Sequence, residues 1–301
     1  MGRAKVLSVL AGSRVDPLAR GEVWVAPAVL ESQGLPNDAA GVAHLAANLG
    51  ADLCFVSCGG PQAVPNQPEA LREAVAAVHA RDLACGIVVD GPWQRLTQSH
   101  GLLQLLERLV RHAGQVEQEV AAQAALVHEE LNAWAGAGAD LVLLADDLAY
   151  SRGLYFSPVL FASLLLPHYR QFLLAATDLH VPLGFHSDGD LMPLLPTLVE
   201  MGFSFFSLET EAMNLADVQD QHKDRVALIA GIAAEWLSSD RLAGISVDDV
   251  SAGISRLARG GRLILGSACG LYDPDYPAAL REIYRVADCL PRANARPVEE
   301  S

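Results

Sequence analysis

Eight short apolar runs, each followed by a stretch with helical spacing, divide most of the chain into repeating units of one kind. They fall at 22–26, 52–57, 84–89, 140–145, 183–186, 204–208, 226–232 and 262–268. Runs that are hydrophobic throughout suit strands covered on both faces, and their alternation with helices predicts a parallel sheet. Eight such units within ~250 residues predict a closed TIM (β/α)8 barrel. An open doubly wound sheet is the alternative, but its dinucleotide form needs Gly-x-Gly-x-x-Gly after the first strand, and neither Arg20-Gly21 nor Gly59-Gly60 supplies it. We expect one domain over 1–290 and a flexible tail over 291–301.

Helical spacing predicts outer helices at 69–80 and over 101–134, the latter breaking near Gly114. Ser157-Pro158 reads as an N-cap with proline at the first helical position, opening a helix that runs through Leu166 and kinks at Pro167. Val247-Asp248-Asp249 opens a further helix that Gly260-Gly261 ends.

With 301 residues and 51% hydrophobic content the chain is large enough to bury a substantial core. The formal charge of −15 opposes nucleic acid and anionic membranes, since phosphate binding needs clustered Lys and Arg. Five scattered cysteines do not suit a secreted disulfide framework. No apolar run reaches the roughly 18 residues of a membrane helix, and the stretch Val6 to Ala11 is too short for a signal peptide, so a cytoplasmic protein is expected.

In a barrel of this kind reactive groups collect at the C-terminal ends of the strands. Polar residues do follow the runs there: Asp90 the third, Asp146 and Asp147 the fourth, His186 and Asp188 the fifth, Glu209 and Glu211 the sixth, Cys269 the eighth. Asp90-Gly91-Pro92 is equally well explained as turn chemistry. The fifth run is harder to dismiss, because residues 184, 186 and 188 share one face of a strand and Gly184 would leave space below His186. Imidazole, carboxylate and the Cys269 thiol would then meet at one mouth, a donor set fit for a metal such as zinc. Trp93 and Trp236 either wall a ligand pocket or pack, and packing is favoured.

The segments 184–189 (Gly-Phe-His-Ser-Asp-Gly), Ala145-Asp146-Asp147-Leu148 with Phe156-Ser157-Pro158, Gly266-Ser267-Ala268-Cys269-Gly270 and the opening 5–17 resemble the uroporphyrinogen decarboxylase superfamily. That family has the barrel fold. Decarboxylases proper carry an N-terminal Met-Arg-Gln-Ala-Gly-Arg signature facing a polycarboxylate substrate, whereas the matching region here, 21–28, has no arginine. The resemblance is nearer to methylcobalamin:coenzyme M methyltransferases, which hold zinc with His-x-Cys and a later cysteine. His186 and Cys269 match that pattern, and Asp188 stands where the second cysteine would be.

What this implies is methyl transfer between a corrinoid on a partner protein and a small thiol, at a zinc held by His186, Asp188 and Cys269. Asp147 and Glu209 are the candidate catalytic carboxylates, Glu209 as a fourth ligand or as orienter of His186. Asp146 and Asp90 are candidate substrate contacts. Related barrels also suggest a homodimer. Two other readings stay open: a cofactor-free decarboxylase in which Asp147 or Asp188 binds pyrrole nitrogens, and a non-catalytic binder of a corrinoid protein or small molecule.

Overall fold

The computed structural model describes residues 1–59, 62–222, 224–238, 246–267 and 270–290. Eight parallel strands close into a barrel: β1 (Ala19–Glu22), β2 (Leu53–Ser57), β3 (Ala84–Asp90), β4 (Leu141–Ala145), β7 (Leu183–Ser187), β8 (Phe205–Leu208), β9 (Ala227–Ile232) and β10 (Leu263–Ser267), with β10 pairing β1 to complete the ring. Between β4 and β7 the chain adds a small antiparallel hairpin, β5 (Ala149–Tyr150) with β6 (Gly153–Leu154). The fold is the expected (β/α)8 TIM barrel.

Seven strands begin and end within one residue of their apolar runs, and the first does not. Expected at 22–26, it lies at Ala19–Glu22, where two of its four residues are charged. Both are buried between barrel and helices and find partners there, which is why hydrophobicity failed to mark the strand. The Arg20 guanidinium lies over the Tyr284 ring at 4.9 Å and pairs with Asp288, while Glu22 accepts from the Ser267 amide at 3.0 Å and from the Tyr284 hydroxyl at 3.1 Å.

The barrel interior is filled by alternate residues, among them Leu53, Phe55, Val88, Leu143, Phe205, Ile229 and Ile264. Large rings sit opposite glycines. A Cβ at Gly184 would lie 2.3 Å from the Phe205 ring, and one at Gly86 would lie 2.5 Å from Phe55. The space expected below His186 is therefore taken up by Phe205, because a close-packed interior leaves no void of that size.

The N-terminal mouth is closed by the helix Gly2–Leu10, whose Val6 and Val9 are fully buried against the interior cluster. Its basic residues anchor on carboxylates just before the strands. Arg3 binds Asp140 at 2.8 Å, and Lys5 binds Asp52 at 2.7 Å. The opposite, C-terminal mouth stays available for a site.

In the outer layer, helices Pro68–His79 and Val247–Ala258 lie where their spacing predicted. The long stretch breaks near Gly114 as expected, at His112, between Leu102–Arg111 and Ala113–Ala137. Glycine merely tolerates a helix there, and the interruption falls at the residue whose backbone, φ −141° and ψ 42°, leaves the helical region. Ser157 caps Pro158–Leu164 by accepting from the Leu160 amide, and the chain bends 56° into Leu166–Asp178. No single helix among the described residues is long and apolar enough to cross a membrane. Trp93 is fully buried edge-on against Phe156 at 4.8 Å, a packing role.

Candidate metal centre at the barrel mouth

His186 stands near the end of β7 with its side chain 14% exposed at the mouth. Its Nδ1 lies 3.2 Å from the Ser207 carbonyl oxygen, on the neighbouring strand β8. The Ser207 Oγ lies at the same 3.2 Å from Nδ1. Donation from Nδ1 to the carbonyl would leave Nε2 to offer its lone pair to the mouth. Nε2 is 3.6 Å from Asp188 Oδ1. Asp147, past the end of β4, completes a group of three: one ligand atom from each of Asp147, His186 and Asp188 lies within 4.8 Å of the other two.

The loops that deliver these groups brace one another. The Asp188 amide donates to Asp147 Oδ1 at 3.0 Å, and the Leu148 amide donates to Ser187 Oγ at 3.0 Å. Glu209, beyond β8, accepts from the Gly189 amide at 3.0 Å. It holds the turn that follows Asp188, while Ser207 lies against Nδ1 of His186. Partial burial pushes the Asp188 carboxyl above its usual range; His186 opposes this, and the like charges of Asp147 and Glu209 add to it. A divalent cation would relieve that repulsion. One imidazole nitrogen and two carboxylate oxygens around a common point suit such an ion by donor chemistry and by spacing.

Asp146 and Asp147 are adjacent in sequence and opposite in fate. Alternation turns Asp147 inward and Asp146 outward, under the helix Pro92–His100. Asp146 has no exposed surface; its carboxylate accepts from the Gln94 amide at 2.6 Å, the Trp93 amide at 3.4 Å and the Tyr169 hydroxyl at 2.5 Å. Burial raises its pKa to about 7 against the pull of those donors. It ties a helix start to the barrel, and the substrate contact expected of it has no route to the mouth. Asp90 remains at the rim, where Gln98 Nε2 donates to it at 3.1 Å, outside the group of three. Cys269 lies outside the described residues.

Two contributors carried no readable signal. Ser207 meets the imidazole with both its carbonyl oxygen and its Oγ, each 3.2 Å from Nδ1, and only the pairing of β8 with β7 puts it there. Tyr155, partly exposed after the hairpin, has its phenol pKa raised by partial burial and then by Asp147 and Asp188.

The model of the uroporphyrinogen decarboxylase (URO-D) family matches residues 60–284, about three quarters of the chain. Among solved structures, a methyltransferase from Methanosarcina mazei superposes with a TM-score of 0.73 at 16% identity, covering 96% of this chain and 98% of that one. A D-allulose 3-epimerase from Methylomonas gives 0.52 at 13% identity, with 91% and 98% covered. A D-psicose 3-epimerase gives 0.54 at 11%, with 89% and 97% covered. At such identities the likeness is one of fold. No curated protein sequence matches significantly. By the extent of its match to the family model, the chain belongs to the uroporphyrinogen decarboxylase family.

Proposed function

We propose that this protein is a metal-dependent methyltransferase, moving a methyl group between a corrinoid carried by a partner protein and a small thiol. The observation that carries the reading is the convergence of His186 Nε2 with the carboxylates of Asp147 and Asp188 at the C-terminal mouth. Zinc is the expected ion, with the Cys269 thiolate as a further ligand; that cysteine follows β10 by two residues in sequence. When bound, such an ion supplies Lewis acidity that lowers the pKa of an acceptor thiol.

The chain's own residues supply position. Ser207 orients the imidazole through Nδ1, the Asp188 amide steadies Asp147, and Glu209 steadies the turn that follows Asp188. Pre-set donors of this kind hold an acceptor in line for attack without reorganisation. The same acidity is unsuited to a substrate bearing many carboxylates, which would need cationic partners when buried.

Metal analysis tests the reading. Purified protein should hold zinc at about one equivalent per chain. His186→Ala and Cys269→Ala should be depleted, with loss of methyl transfer from methylcobalamin to a thiol. A metal-free preparation that still transfers the methyl group defeats the proposal.

A further inference from the structure

A cavity of about 320 Å³ lies between the helices Ala39–Leu49 and Pro68–His79, bounded by residues 62–65 of the loop after β2, and shares no residue with the metal centre. Its size falls at the lower end of the ~300–1,000 Å³ typical of small-molecule sites. The Val64 amide donates to the Ser57 carbonyl at 3.4 Å and so keeps the loop against the end of β2. Pro68–His79 turns Ala70, Glu73, Ala74 and Ala77 to the cavity, positions spaced three and four apart along one face, while its Leu71, Val75 and Val78 are buried. Alanine methyls are too short to close the gap between the two helices.

The polar lining has a consistent character. Asn37 and Gln62 are neutral, Asp38 and Glu73 are acidic, and among the described residues no lysine or arginine lines the cavity. Asp38 Oδ1 caps its helix by accepting from the Gly41 amide at 2.9 Å, which leaves Oδ2 for a ligand. Gln62 is the unexpected member. It is only 8% exposed, and its Nε2 is enclosed without a hydrogen-bond partner. An enclosed amide N–H that finds no acceptor is destabilising, and a ligand oxygen would supply what the chain does not.

We propose that this cavity binds a small organic ammonium that also carries a hydroxyl or carbonyl oxygen. The ammonium lies against Asp38 and Glu73, the carbon body against the alanine methyls, and the oxygen accepts from Gln62 Nε2. The last torsion of a glutamine side chain is soft, so the carboxamide turns to meet that oxygen. Both polar ends of the ligand matter: the acidic pair repels a carboxylate, and a plain alkylammonium leaves the Gln62 nitrogen unpaired. The site stands independently of the cation reading above.

Amide NMR spectra of the full chain, titrated with valinol, isobutylamine and α-hydroxyisovalerate, test the proposal. Valinol should shift the amide resonances of Ala39, Ala40, Ala70 and Ala74 saturably and leave those of Ser187, Asp188 and Gly189 in place. Isobutylamine, which lacks the hydroxyl, should bind about three- to tenfold more weakly, the ratio expected for one hydrogen bond, and α-hydroxyisovalerate should not bind. Gln62→Met should bring valinol down to the affinity of isobutylamine without changing the latter. Glu73→Gln should weaken both amines by up to about fivefold, the range of an exposed ion pair. Ala70→Leu, which fills the cavity, should abolish binding of both and keep the melting temperature. The proposal is overturned by the absence of a saturable shift at these alanines, by equal affinity for valinol and isobutylamine, or by preference for α-hydroxyisovalerate. Equal loss of both amines in Gln62→Met, or undiminished binding by Ala70→Leu, overturns it as well.

Discussion

Glu22 shows how far a single buried group departs from its behaviour in water. Enclosed between barrel and helices, it has its pKa raised to about 8, burial outweighing the Ser267 and Tyr284 hydrogen bonds. The folded protein therefore holds this proton more tightly than the unfolded chain does. Its contribution to stability is complete below the ordinary value of 4.5 and is lost as pH rises through about 8. Glu22→Gln should remove that part of the dependence: urea unfolding at pH 5 and pH 8 should show a smaller fall for the variant, by several kcal/mol. Identical falls in both proteins would mean that Glu22 titrates normally. His186 teaches a complementary lesson, since its residue type advertised a ligand, while the partner of its Nδ1, Ser207, is supplied by the next strand.

Strands β7 and β8 show what pairing adds to pattern. The apolar run of β7 was legible, and so was the common face of residues 184, 186 and 188; the neighbour that fills Gly184 was not. Register places Gly184 beside Phe205 and His186 beside Ser207, so one pairing both packs the interior and orients the imidazole. Gly184→Ala should cost about 1–3 kcal/mol in unfolding free energy, because the added methyl overlaps the Phe205 ring. Adding Phe205→Leu should recover part of that loss in a double-mutant cycle, and strict additivity would show that the two side chains do not compete for the space. The first strand was misplaced for a related reason. Arg20 and Glu22 look like surface residues until Tyr284 and Asp288, more than 250 positions away, come beside them.

Across the molecule, the two mouths of the barrel have divided their tasks. The N-terminal mouth is sealed by Val6 and Val9, and the C-terminal mouth carries the candidate metal centre. Val6→Ala and Val9→Ala should each cost about 2 kcal/mol, from lost burial and incomplete collapse of the cavity. Denaturant unfolding would measure this, and a negligible cost would mean that the helix is only loosely seated. Local order along the chain was enough to place seven of the eight strands and the capped and bent helices, and to count out the barrel, because periodicity and end signals act over a few residues. It also nominated His186, Asp147 and Asp188, since a barrel sends groups that follow its strands to one end. Which of two adjacent aspartates faces the mouth and what lies against the imidazole depended on closure of the ring. Those relations join residues distant in sequence, whose distances are set by register and packing and leave no trace in local pattern.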